Sequence, residues 1–297
     1  MTGLRHLRRC AHLVSLLKKS NRVQCCARED KKTAKFLAER NIPARFIKDP
    51  GVIDLNGVRA LIFDLPHFSS ADSTLLEKAA KTGIKTVQII PAAGNGHAVD
   101  IQVSGAEFTL LHHKFRHFNR IKRKYHQNIK NIFINLGDLF PYRDLRHIAD
   151  ILHRLHFKMK ITPSLNLKKA DRRNLMKIYP GIHFRGRSES PARSYFEADL
   201  ALVPAAEEAL EAACVGTPAL YIPLGNSQEA LAEQCVNLGL GVKIPSLADF
   251  SVQALHDAIA PLTREHREHM GAAGKRLVDG LGVQRFFKVL KDNEIIT

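Results

Sequence analysis

The sequence predicts an α/β protein made of two parallel-sheet domains with helices on both faces of each sheet. Three observations carry this reading. Apolar runs of strand length alternate with segments of helical period. The alternation breaks at a basic span and then resumes. The chain has 297 residues, 45% hydrophobic and 25% charged, which suits two ordinary cores. In such sheets ligands lie beyond the strand C-termini, so those ends are where chemistry is expected.

The first series starts with Leu7, Cys10, Leu13, Val14 and Leu17 at helical spacing, followed by a short apolar strand over 23–26 and a helix over 32–40. Residues 60–63 form an apolar strand ending at Asp64, 70–81 a helix and 86–90 a strand. The second series runs strand 132–136, helix 145–155, strand 158–161, helix 172–178 and strand 182–184. Next come an acidic strand edge over 199–203, a helix opening at Glu207 to Glu211, a Gly216-Thr217-Pro218 turn and a strand over 219–224 that runs into Asn226-Ser227-Gln228. That last order of parts is that of a nucleotide-sugar pocket: a strand, a helix N-terminus where a diphosphate sits, and a polar cluster for the sugar. Residues 283–296 place Phe286, Phe287, Val289 and Leu290 at helical spacing. The expected domains are therefore 1–125, 126–280 and a terminal helix over 281–297.

A formal charge of +16 favours anionic partners without choosing among them. The span from Lys114 to Lys130 concentrates Arg116, Arg120, Lys122, Arg123 and Lys124. It reads first as a solvated linking helix, and second as a basic lip for an anionic membrane face or a phosphorylated glycan. No RNP-type motif or zinc finger supports a nucleic-acid module. The five cysteines lack CxxC spacing, which argues against a disulfide framework or a zinc site, and His112-His113 diverge on any regular backbone. No metal or cofactor is expected. The first 28 residues are basic without an acid, yet lack a small-residue cleavage site, so the chain reads as cytoplasmic, peripheral at the inner membrane face.

Several motifs then fall in order. Gly3-Leu4-Arg5-His6-Leu7-Arg8-Arg9-Cys10 resembles the Gly-x-Gly-His-x-x-Arg-Cys opening of the SpsG-type spore-coat polysaccharide proteins. That family includes the UDP-sugar hydrolase of pseudaminic acid biosynthesis and is related to the peptidoglycan N-acetylglucosaminyl transferase. Ile62-Phe63-Asp64, Gly105 to Leu111 with Phe115, Ile134 to Asp138, and Glu211 with Gly216-Thr217-Pro218 are similar to its later motifs. The resemblance implies a GT-B fold, two Rossmann-like domains facing a central cleft, with a UDP-sugar held by the C-terminal one and no metal. His6 would act as general base, with Asp64 beside it. Gly3, Gly137 and Asp138 would line the cleft, Ala205, Ala206, Glu207 and Glu208 the diphosphate loop, Glu211 the ribose, and Ser227 and Gln228 the sugar. The terminal helix would cross back onto the first domain.

The chain departs from that pattern at several places, among them a Gly-Gly-x-Asp shortened to Gly137-Asp138 and an Asn-Gln pair that falls on Ser227-Gln228. Arg5 replaces the second glycine of the opening. Ala205-Ala206-Glu207-Glu208 replaces Gly-Gly-x-Thr, putting carboxylates where an anion cradle stands. Only Met1 and Thr2 precede Gly3, so the N-terminal sheet is expected to lack its first, central strand, the mark of a truncated gene model or a decaying gene. Three functions follow: a UDP-sugar hydrolase or glycosyltransferase of surface polysaccharide or nonulosonic acid synthesis, a non-catalytic relative serving as a partner or regulatory protein, or a basic binder of anionic polymers.

Overall fold

The computed structural model describes residues 5–28, 30–38, 42–65, 68–90, 99–137, 140–164, 166–186, 189–225 and 228–296. The chain divides into two compact units, Met1–Leu110 with Leu281–Thr297, and Leu111–Gly280. The first contains α1 (Arg5–Leu17), β1 (Cys25–Arg28), α2 (Lys31–Ala38), β2 (Ala44–Ile47), β3 (Ala60–Phe63), α3 (Ser70–Lys81), β4 (Lys85–Ile90) and β5 (Ile101–Ser104). Its strands form two parallel sheets, β1-β2 and β3-β4-β5. Ser69 caps α3 through a capping box with Asp72, and Arg28 at the end of β1 reaches both residues. The terminal helix α12 (Gly282–Asp292) buries Phe286 and Leu290 among Leu13, Leu17, Val87, Ile89 and Val103 of the same unit. A Cβ on Gly282 would lie 2.2 Å from the carbonyl oxygen of Thr109, so only glycine lets α12 approach so closely.

The second unit contains α4 (His113–Arg120), β6 (Asn131–Ile134), α5 (Tyr142–Arg154), β7 (Lys158–Ile161), α6 (Lys169–Ile178), β8 (Ile182–Phe184) and α7 (Pro191–Glu197). It continues with β9 (Leu200–Val203), α8 (Glu207–Cys214), β10 (Ala219–Tyr221), α9 (Glu229–Asn237), β11 (Gly241–Lys243), α10 (Val252–Ile259) and α11 (Arg264–Leu277). Six parallel strands lie in the order β11-β10-β9-β6-β7-β8. In chain order that is 6-5-4-1-2-3, the doubly wound arrangement with its switch point between β6 and β9. Both strands there are apolar runs, and every residue of β9 is fully buried, as a sheet covered on both faces requires. Helix α11 comes close to α8 and the Gly216 turn because Gly271 and Gly274 carry no Cβ. One on Gly274 would lie 2.8 Å from the Ala213 carbonyl oxygen.

The two readings of the basic span are each met in part. Lys114, Arg120, Lys122, Lys124 and Lys130 are exposed. Arg123 instead turns inward, donating to the carbonyls of Phe196 (2.8 Å), Tyr195 (3.2 Å) and Ala198 and to the Thr217 hydroxyl (3.0 Å). Burial pulls its guanidinium down to about 10. Asn119 Nδ2 donates to the carbonyls of Cys214, Lys275 and Val278. These anchors place 111–125 in the second unit. At the opposite end of the sheet from the strand C-termini, Asp199 closes the bottom of β6. Its carboxylate accepts from the backbone N–H of Lys130 and Asn131 (2.9 Å each), from Asn131 Nδ2 (3.2 Å) and from His126 Nδ1 (3.0 Å).

Candidate functional site

The switch point collects the candidate donor residues of the second unit. Two loops leave neighbouring strands there, one from the C-terminus of β6 through Asn135 to Gly137, the other from β9 through Pro204 to Ala206 into α8. Gly137 has φ +86°, a left-handed value that favours glycine, and a Cβ built on it would lie 3.6 Å from Glu208 Oε1. Ala205 and Glu208 are buried, whereas Ala206, Glu207 and Glu211 are half-buried. Glu207 and Glu208 occupy the first turn of α8, where carboxylates complement the positive end of the helix. The same charges oppose any anion placed there.

Below this rim lies a hydrogen-bonded network absent from the expected set. Asn135 Nδ2 donates to the Tyr195 hydroxyl (2.9 Å) and to Glu211 Oε2 (3.3 Å), and that hydroxyl donates to the Glu208 carbonyl (3.3 Å). Tyr195 is fully buried; burial, then the carboxylates of Glu211 and Glu208, push its hydroxyl well above the ordinary tyrosine value. It is therefore a fixed neutral donor, and the Asn135 amide holds Glu211 from the sheet side. Gln228 immediately precedes α9, and its Oε1 accepts from the Leu224 N–H (3.0 Å), bracing the loop after β10. Asp138 and Ser227 lie outside the described residues, as does Gly3.

In the first unit, His6 stands in the first turn of α1, where the backbone alone is described. Asp64 follows β3 and is buried, gripped by Arg9 of α1 through Nε (2.8 Å to Oδ2) and Nη2 (to Oδ1). The Cys10 thiol also donates to Asp64 Oδ2 at 3.5 Å. Burial, then the Asp64 carboxylate, push Cys10 well above the ordinary thiol value. Asp64 is thus one half of a buried ion pair that ties α1 to the end of β3. Two further motif positions prove to be backbone devices. Gly105 has φ +106° ahead of a 3-10 turn, and Gly216 has φ +74° at the end of α8. Sequence reasoning did not single out Tyr195, and gave no bonding role to Asn135 within its motif or to Arg123 within the basic span. Of these, Asn135 carried a signal, being a polar residue immediately after an apolar strand.

A hollow of about 390 Å³ lies along α11 between His266, His269, Met270 and Arg276, away from the switch point. Among the described residues, no three metal-ligating side chains gather and no helix is long and apolar enough to cross a membrane.

No protein-family profile and no curated protein matches this chain. Solved structures do match it along nearly its whole length. A MurG of Acinetobacter baumannii is 16% identical, with 97% of this chain and 96% of that one covered at a TM-score of 0.68. The calicheamicin glycosyltransferase CalG4 is 12% identical over 97% and 95%, at 0.67. A UDP-GlcNAc 2-epimerase of Neisseria meningitidis, in a structure bound to UDP-GlcNAc, is 13% identical over 96% of each chain, at 0.53. The chain therefore has the GT-B fold, the architecture of two parallel-sheet units shared by these glycosyltransferases and epimerases. At such identities the likeness is one of fold.

Proposed function

We propose that this chain is a glycosyltransferase-like protein that takes a UDP-sugar at the switch point of its second unit. The reaction class is UDP-sugar hydrolysis or sugar transfer in surface polysaccharide or nonulosonic acid synthesis, as in the SpsG-type family its motifs resemble. The observation that supports it best is that Gly137, Ala205 and Ala206 on the two loops leaving β6 and β9, with Glu211 on the helix α8 that follows, stand at the place where a doubly wound sheet takes its ligand. A bound UDP-GlcNAc in one structure of the same fold supports the ligand class. In this reading Glu211, held by Asn135 at Oε2, accepts from the ribose hydroxyls. Gly137 leaves room for the diphosphate. Asp138, Ser227 and Gln228 serve the cleft and the sugar, and His6 is the base, carried on a helix that the Arg9–Asp64 pair fixes. The Lys114–Lys130 span offers exposed cations to an anionic membrane face or a phosphorylated glycan.

A second reading, that of a non-catalytic partner or regulatory protein, has its own observation. Glu207 and Glu208 already complement the α8 N-terminus, and Gln228 is engaged by Leu224. Calorimetric titration with UDP separates the two. Micromolar binding that Glu211→Ala weakens at least tenfold supports the donor site. A folded chain that binds no UDP refutes it and leaves the scaffold reading.

A further inference from the structure

The turn that leads into β3 carries an asparagine unlike the others described. Asn56 and Gly57 form its exposed tip, between Leu55, which is buried, and Val58, which is half-buried. The Val58 N–H donates to the Leu55 carbonyl (3.1 Å) and closes the turn, with Gly57 at φ +71°, the left-handed value that a turn's third residue takes. A Cβ on Gly57 would meet no atom within 4 Å, so the space beside it is open. The backbone N–H of Asn56 donates to Asp54 Oδ1 (3.0 Å), but its side-chain amide has no hydrogen-bond partner among the described residues.

Several other asparagine amides are held in place. Asn119 Nδ2 donates to three carbonyls, Asn131 Nδ2 to Asp199 (3.2 Å) and Asn135 Nδ2 to Tyr195 and Glu211. Asn21 and Asn293 donate to the helix carbonyls of Leu17 (3.2 Å) and Val289 (2.9 Å). Each of these is followed by a residue whose Cβ crowds the next backbone nitrogen. Among the described residues Asn56 alone precedes glycine; Asn95-Gly96 repeats the dipeptide outside them. Asn56 therefore combines a free amide, an exposed turn and an unhindered backbone nitrogen next in the chain.

We propose that Asn56 is a site of spontaneous covalent modification, where the chain closes a succinimide ring with Gly57 and reopens it as aspartate or isoaspartate. The Gly57 backbone nitrogen gives up its proton to hydroxide and attacks Cγ of the Asn56 amide. The new C–N bond closes a five-membered ring, and the amide nitrogen takes a proton from water and leaves as ammonia. Water then adds to either ring carbonyl and breaks its C–N bond, so the whole change is loss of ammonia and gain of water. Having both groups in one turn makes the ring closure intramolecular. In the isoaspartate product the main chain is one methylene longer at position 56, and a carboxylate stands near Asp54, whose Oδ1 accepts from the same residue. Both changes oppose the bond between Leu55 and Val58 and the seating of Leu55 among Phe63, Leu75, Ala79 and Ile84. The site is independent of the nucleotide-sugar reading.

The test ages the full chain at pH 8, with its fold followed by circular dichroism, and maps its peptides by mass spectrometry beside a synthetic peptide of residues 53–60. The expected result is a gain of one dalton at Asn56 at least tenfold faster than at Asn119, Asn131 or Asn135, faster at pH 8 than at pH 6, with isoaspartate among the products. Asn56→Gln should remove the gain. In the isoaspartate fraction the Val58 amide should exchange at least tenfold faster than in the fresh chain. An Asn56 that keeps its mass while the free peptide converts by half overturns the proposal. So does equal conversion at all four asparagines of a folded chain, or aspartate without isoaspartate. Unchanged exchange of Val58 in the modified chain overturns the effect on the turn.

Discussion

Replacing Asp199 tests how the second sheet is held at its lower end. The carboxylate is 5% exposed and accepts four hydrogen bonds, two of them from the consecutive backbone N–H groups of Lys130 and Asn131 that open β6. Asp199→Ala orphans both N–H groups in a site too tight for easy rehydration, at about 1–3 kcal/mol each, so the variant is expected to lose about 3–5 kcal/mol. Asp199→Asn keeps an acceptor for the backbone and loses the charge assistance, about 1–2 kcal/mol. The two also separate by pH. Burial raises the Asp199 value, but the bonds from Lys130, His126 and Asn131 outweigh it, and the net shift is downward. A depressed carboxylate contributes stability above its unfolded value of about 3.9 and loses it as pH falls through the folded value. Wild type should therefore shed this increment below about pH 4, and Asp199→Asn should lack that part of the acid slope. The assay is urea denaturation from pH 7 downward, read by circular dichroism and by exchange of the β6 and β9 amides. An Asp199→Ala chain within 0.5 kcal/mol of wild type, or an unaltered acid slope in Asp199→Asn, refutes the assignment.

Three further outcomes are expected. Gly271→Ala places a Cβ 1.7 Å from the Tyr125 hydroxyl and 2.6 Å from the Gly216 carbonyl oxygen, so it should cost about 1–3 kcal/mol in urea melts; Tyr125→Phe in the same chain should recover part of it. Arg9→Ala leaves a buried carboxylate without its guanidinium and should destabilise the first unit by about 3–5 kcal/mol, whereas Arg9→Met with Asp64→Leu should cost far less; equal losses would remove the ion pair from the account. In native alkylation at pH 8 read by mass spectrometry, exposed Cys26 should react first. Cys214, pushed up to about 12 by burial, and Cys10 should stay unmodified until the chain unfolds.

The fold was legible wherever burial on both sides of a strand left an unbroken apolar run. Strands 60–63, 158–161 and 182–184 and helix 70–81 were read to the residue from local period alone, the apolar run Ala-Leu-Ile-Phe, the alternating Lys-Met-Lys-Ile and Ile-His-Phe, and helical spacing over 70–81. Strand 23–26 settles at Cys25–Arg28, because the pairing of β1 with β2 sets the bounds. The strand over 44–47 escaped notice, its ARFI pattern being half-exposed and crossed by a charge. The positions of the candidate donor loops were readable too, since Gly137 and Ala205 to Glu208 follow apolar strands directly. What each side chain bonds was not.

The sequence by itself determined the alternation of strand and helix and the resumption of that alternation after the basic span. These are local properties, fixed by period, apolar content and spacing. Tertiary structure alone decided that Asp64 is the partner of Arg9, that Arg123 points inward from a basic run, that Asn135 and Tyr195 stand behind Glu211, and that the first sheet is parted between β1 and β3. Each of these joins residues distant in the chain. A charged or polar side chain takes its role from the partner that meets it, and that meeting is arranged by packing.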